Sequence, residues 1–219
     1  VDNIYSFSID SDTTYLPGDH FMWAFKTEFL SSDNSSEAYA VFSVHFENDS
    51  IIAAKNAESL RILNEKLKQR ELHKLYLCVV IGTPKQKEGI LKDYLQKNEK
   101  QNKVYISDKK QADSKEIATK YKVLSSKNGL SLVEIELLTG RTHQIRASFS
   151  HLGHALLGDG KYGTNAQNKQ FGGYKKQFLY SYKLAFDFES DAGILNYLNH
   201  KEFQVKDVWF KEAFLNGDL

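Results

Sequence analysis

Apolar and polar positions alternate most clearly between residues 115 and 138. Ile117, Thr119, Tyr121 and Val123 fall on one face. On the return, Val133, Ile135 and Leu137 share one face, and Leu132, Glu134, Glu136 and Leu138 the other. A period of two is that of a half-buried strand. Asn128 and Gly129 stand between the two runs and readily take the positive φ angles of a tight turn, so the pattern predicts a hairpin. Residues 51–54 and 75–81 are unbroken apolar runs, predicted as buried strands. Strands are also predicted at 39–46, near 104–106 and at 178–188, the last with Phe178, Tyr180, Tyr182, Leu184 and Phe186 on one face. Asn56 suits the N-cap of a helix running to about Gln69, with Leu60, Leu63 and Leu67 at helical spacing. A C-terminal helix is predicted over residues 208–214. Nearer the start, strand-like pieces at 4–9 and 21–25 flank a turn at Pro17-Gly18, and residues 31–37 have the composition of a linker. Hairpins and isolated helices without a βαβ rhythm predict an α+β fold with a mixed, largely antiparallel sheet and flanking helices.

Composition narrows the setting. The 219 residues suffice for one large domain or two small ones. Cys78 is the one cysteine, so no internal disulfide or cysteine zinc cluster can form, and a reducing, cytoplasmic location is expected. No apolar run approaches the roughly 20 residues of a membrane span. No secretory leader is visible, and the opening Val1 implies a start inside a longer product or after processing. Net charge is +1, but it is unevenly placed. Residues 1–50 hold nine acids and one base, a balance of −8, which leaves +9 on the remainder. That asymmetry suggests a body facing a polyanion and a separate acidic piece.

The candidate chemistry collects where the second strand of the hairpin ends. Thr139-Gly140-Arg141-Thr142-His143-Gln144-Ile145-Arg146 places two arginines, a histidine and a glutamine there. Gly140 permits a sharp turn, and Thr139 or Thr142 can cap the helix that follows. Ile145, Phe149 and Leu152 would face the core, while His143, Arg146 and Ser150 share another face. A helix N-terminus bearing arginine attracts phosphate or carboxylate. The residues alone favour a plainer role, in which Arg146 and His143 tie the helix to a neighbouring carboxylate. A small-anion enzyme using this helix end is a further alternative.

The same run, followed by Gly153-His154 and Gly158-Asp159-Gly160-Lys161-Tyr162-Gly163, resembles the C-terminal motif of the RluA-type pseudouridine synthases. Lys74-Leu75-Tyr76-Leu77 is similar to that family's Lys-x-Tyr strand, and Ile52-Ala53-Ala54-Lys55-Asn56 to the segment after its catalytic loop. The stretch 177–184 fits its late strand. The resemblance covers residues 51–219. It implies a central RNA-binding cleft, isomerisation of uridine to pseudouridine in ribosomal or transfer RNA, no cofactor and no metal. By matching motif positions, Tyr76 would stack on a flipped-out base and help remove its ring proton. Arg146 would pair with the family's aspartate, and Arg141, His143 and Lys74 would contact RNA or brace the cleft. A monomer is expected, with no membrane partner.

The resemblance breaks at one place. The family's aspartate falls on Val44 in an ungapped match, and residues 42–49 resemble an earlier part of the family. A segment is therefore expected to be missing at the Asp49–Ser50 junction, within a catalytic domain spanning 38–219. The preferred explanation is an omitted cleft loop. The alternatives are a true deletion that leaves an inactive RNA-binding protein, or replacement of the aspartate by Asp49 or Glu47. Residues 1–30 resemble the end of a small N-terminal module, with a packing role equally open.

Overall fold

The computed structural model describes residues 41–46, 49–54 and 57–219, the first two stretches by their backbone path. The expected pieces at 4–9 and 21–25, the Pro17 turn, the 31–37 linker, the 1–30 module and the Asn56 cap lie outside these residues. Strands β1 (Val41–Phe46) and β2 (Asp49–Ala54) pair antiparallel in register from Val41↔Ala54 to Phe46↔Asp49. Helix α1 (Ala57–Gln69) follows. The body is a seven-stranded sheet built from β3 (Leu72–Ile81), β4 (Glu88–Asn98), β5 (Lys103–Ser107), β6 (Lys115–Lys127), β7 (Leu130–Leu137), β8 (Leu179–Phe186) and β9 (Glu202–Gln204). Its order is β5-β4-β6-β7-β3-β8-β9. Every pairing among the described strands is antiparallel, so the sheet has no parallel member there. Helices α2 (Gln144–His151), α3 (Asn165–Gln170) and α4 (Lys211–Asn216) and a 3-10 helix at Gly193–Leu198 complete the chain. No helix among the described residues is long and apolar enough to cross a membrane.

The hairpin forms as its pattern predicts, with Asn128 and Gly129 at φ 51° and 75°. Both faces of the sheet bury apolar rows. On one, Tyr76, Cys78, Val80, Val133 and Ile135 pack beneath Ile145 and Phe149 of α2. On the other, Leu77, Val79, Leu130 and Leu132 meet Phe178, Val208, Phe210 and Phe214. Fully burying a side chain such as Phe149 stabilises by about 2–3 kcal/mol. α4 starts at Lys211, three residues later than the pattern suggests, because Val208 and Phe210 are fixed in this second cluster ahead of the first helical turn.

Two expected faces are corrected. The row 178–186 does not lie on one side. The partner of β3 steps from Lys183 at Leu75 to Ser181 at Tyr76, leaving Tyr182 as an extra residue in a bulge. A one-residue slip reverses the facing of all that follows. Phe178, Tyr180 and Tyr182 therefore join the second cluster, while Leu184 and Phe186 pack with α1 on the Tyr76 side. In α1 the buried stripe is Ser59, Ile62, Leu63 and Lys66, not Leu60, Leu63 and Leu67. Leu60 is 50% exposed and Leu67 39%. The stripe can include a lysine because Lys66 Nζ meets Glu71 Oε2 at 2.7 Å and both the carbonyl and the hydroxyl of Ser190 at 2.6 Å.

Candidate active site

α1 and α2 stand on the same side of the sheet and leave a cleft of about 660 Å³ between them. Its floor is β3 and β8, with Tyr76, Lys74 and Leu179. One wall is the end of α1 with Leu67 and Arg70, and the other is the 138–146 turn with Arg141, His143 and Arg146. All five residues singled out from the sequence therefore line one cavity. The bulge beside Tyr76 is a local device of the kind that re-aims side chains next to binding sites. Tyr76 is 3% exposed, its ring set into the core cluster. Among the described residues, the cleft lining carries Arg70, Lys74, Arg141 and Arg146 against a single carboxylate, Glu136. That carboxylate is engaged by His73 Nδ1 at 2.6 Å and Lys120 Nζ at 3.0 Å. Burial pushes the Glu136 carboxyl upward, but these two partners outweigh it and hold the group below the ordinary range.

The turn into α2 is built differently from the expected threonine cap. The N-cap is His143, in the left-handed region at φ 56°, with no side-chain cap bond. Thr139 Oγ1 instead accepts the Ala118 N–H at 2.9 Å and donates to Gln144 Oε1 at 3.0 Å. Gln144 Nε2 in turn donates to Thr119 Oγ1 at 2.9 Å and the Ala118 carbonyl at 3.2 Å. This buried clasp fixes the helix start to β6, so Gln144 is structural. At the far end Gly153 occupies the left-handed position as expected, and Leu152, 38% exposed, does not reach the core.

His143, Arg146 and Ser150 do share a face, and what they share is Tyr162. The Tyr162 hydroxyl lies 3.0 Å from His143 Nδ1 and accepts the Val104 N–H at 3.0 Å. Ser150 Oγ donates to the Tyr162 carbonyl at 2.7 Å, and the Arg146 guanidinium sits 5.1 Å from the ring centre. Arg146 also has a carboxylate within this chain. Its Nε donates to Asp159 Oδ2 at 2.7 Å and its Nη2 to Oδ1 at 2.8 Å. Asp159 is fully buried and accepts the Lys161 and Tyr162 backbone N–H groups as well. Burial alone would raise its carboxyl, but the Arg146 fork and these N–H groups hold it below the usual carboxylate range. The plainer role for Arg146, tying the helix to a neighbouring carboxylate, is thus realised. Fully enclosed and bonded on both oxygens, Asp159 is a poor nucleophile but a firm anchor. Arg146 Nη1 bonds no described atom and is left for the cleft. His143 is pushed down to about 4 by burial, then by the charges of Arg146 and Lys161, so it is neutral at pH 7.

Asp159 and Tyr162 belong to the Gly158–Gly163 run, yet spacing assigned them no role, since their partners lie thirteen to nineteen residues earlier on another element. Arg70, His73 and Glu136 carried no motif signal at all.

Comparison with known proteins adds to this geometry. Residues 50–151 match the RNA pseudouridylate synthase family model, and residues 1–75 match a domain of unknown function, a match that runs across the Asp49–Ser50 junction. An uncharacterized RNA pseudouridine synthase of Haemophilus influenzae is 30% identical over 74% of this chain and 69% of its own length. The ribosomal large subunit pseudouridine synthase D of Borreliella burgdorferi is 31% identical over 77% of this chain and 49% of its own. The chain spans between 35% and 49% of the length of the first curated relatives it matches. Among solved structures, human RNA pseudouridylate synthase domain containing 1 superposes with a TM-score of 0.58 at 20% identity, covering 78% of this chain and 69% of that one. That likeness establishes the fold.

Proposed function

Since the chain belongs to the RluA-type RNA pseudouridine synthase family, we propose that it isomerises uridine to pseudouridine in structured RNA, with ribosomal RNA as the substrate class. The observation that carries this reading is the joining of Tyr76, Arg146, Arg141 and Lys74 in one cationic cleft with an aromatic floor. An enzyme that alters a base must draw it out of the stack and hold it against such a surface. In the reaction the C1′–N1 bond breaks and a C1′–C5 bond forms, while C5 gives up a proton and N1 gains one. Atoms balance without a redox partner, and we assign no metal or cofactor. Tyr76 would stack on the flipped uracil, with its hydroxyl placed to help remove the C5 proton. Arg146, anchored by Asp159, would offer Nη1 to the initiating carboxylate and keep it ionised. Arg141, His143 and Lys74 would contact or brace the RNA strand. The one buried thiol, Cys78, suits a reducing cytoplasmic setting.

The initiating carboxylate would arrive on a segment joined at Asp49–Ser50. Protein purified from its native host should then weigh several kilodaltons more than 25.1 kDa, and a mass of 25.1 kDa would refute the omitted segment. Activity is tested by incubating the protein with transcribed ribosomal and transfer RNAs and reading pseudouridine by mass spectrometry of nucleosides. Salt-sensitive binding without conversion of any of them would leave the inactive RNA-binding alternative standing instead.

A further inference from the structure

All four described α-helices end in the same hydrogen-bonded motif, and one breaks its usual residue rule. In α3, the Gly172 N–H bonds the Lys169 carbonyl and the Gly173 N–H that of Asn168. In α2, the Gly153 N–H bonds the Ser150 carbonyl and the His154 N–H bonds that of Phe149. In α4, Gly217 and Asp218 bond Phe214 and Ala213 in the same way. In α1, the Arg70 N–H bonds the Leu67 carbonyl at 3.2 Å and the Glu71 N–H that of Lys66 at 2.9 Å. The residue after the cap must turn left-handed, and glycine does so without a Cβ clash. Gly153, Gly172 and Gly217 stand there at φ 88°, 99° and 87°, whereas α1 has Arg70 at φ 64°. Among the described residues, four other non-glycine residues have positive φ: Asn102, Asn128, His143 and His200. Asparagine tolerates the conformation. Of the remaining three, Arg70 and His143 both line the cleft, from opposite walls. Backbone strain retained on both sides of one cavity points to use of the side chains there.

Neither the Arg70 nor the Arg141 guanidinium meets a carboxylate among the described residues. Charge complementarity then selects the occupant, since among the described lining residues the Arg70 and Arg141 guanidiniums face one carboxylate, Glu136, which His73 and Lys120 already engage. We infer that Arg70 grips a backbone phosphate of the RNA strand on the α1 side of the flipped nucleotide, opposite Arg141 on the α2 side. The two contacts would hold the strand on either side of Tyr76 while the base turns over. A guanidinium binds phosphate bidentately, which the glycine favoured by this backbone cannot do. This rests on the pseudouridine synthase reading for its orientation in the cleft, though the phosphate contact can be tested without turnover.

The whole chain is titrated against a fluorescein-labelled RNA stem–loop with uridines in its loop, by fluorescence anisotropy over a series of KCl concentrations. Arg70→Gly supplies the residue that the backbone prefers, so its melting temperature should equal or exceed the wild type. Its affinity should nevertheless fall about tenfold, and the slope of log K against log salt should shrink by about 0.7–0.9, one phosphate contact. Arg70→Lys should keep the wild-type slope. Wild-type affinity and slope in Arg70→Gly would overturn the assignment, whatever its melting temperature. If wild-type protein binds the stem–loop without converting uridine in any RNA while Arg70→Gly loses slope, the isomerase reading falls and the phosphate contact stands. Conversion by the wild type together with unchanged binding by Arg70→Gly would do the reverse.

Discussion

At the residue scale, the cleft geometry depends on how Arg146 is held. Its fork onto Asp159 is buried, and removing one partner of a buried pair costs about 3–5 kcal/mol because the other charge is left unpaired. Asp159→Asn should therefore lower the melting temperature on the order of 10 °C for a chain of this size, read by calorimetry. Tyr76→Phe keeps the ring and its packing. Its RNA affinity should stay close to wild type, while pseudouridine formation falls by about 10²–10⁴-fold if the hydroxyl helps move the proton. His143 titrates at about 4 in the folded chain against an ordinary 6.5, so the unfolded state binds its proton first. Its contribution to stability is complete above pH 6.5 and declines as pH falls toward 4. The groups facing it are Arg146, Lys161, Asp159 and Lys97 by charge and Tyr162 by hydrogen bond. Asp159 is held below its ordinary 3.8, so its own window lies lower. His143→Asn, which suits the left-handed backbone, should flatten the fall in melting temperature between pH 6.5 and 4.5 relative to wild type.

At the element scale, the end of α1 is closed by an ion pair where apolar contact is usual. Lys66 and Glu71 are the residues that the capping motif brings together, and their buried charges meet at 2.7 Å. The Lys66 hydrogen bond holds the Glu71 carboxyl below the usual range against the effect of burial. Lys66→Ala should destabilise by about 3–5 kcal/mol, whereas the apolar double replacement Lys66→Met with Glu71→Leu should lie within about 2 kcal/mol of wild type, both read by urea unfolding. The elements themselves were largely legible in the chain. The 115–138 hairpin follows from alternation and Asn-Gly, and α1 and its end at Gln69 follow from spacing. The faces were less legible. A bulge at Tyr182 looks in sequence like unbroken alternation, because the slip is set by pairing with β3. A lysine on a buried stripe looks like solvent-facing charge until Glu71 and Ser190 are folded against it.

At the scale of the whole molecule, the +9 balance of residues 51–219 includes four cationic side chains, Arg70, Lys74, Arg141 and Arg146, in the lining of one cleft. Phosphate contacts release counterions, so RNA affinity should fall at least about tenfold between 50 and 200 mM salt, measured by anisotropy. A salt-independent affinity would argue against backbone gripping in this cleft.

By itself the sequence determined the α+β class, the antiparallel hairpins, the family and the five residues Lys74, Tyr76, Arg141, His143 and Arg146 that line the cleft. These are matters of period, turn chemistry and contiguous motif, which act over short stretches of chain. Only the tertiary structure decided that Arg146 is anchored by Asp159, that Tyr162 unites the face of α2, and that Arg70 stands across from Arg141. Those relations join residues from separate elements, and burial and charge act on whatever the folded sheet brings within a few ångströms.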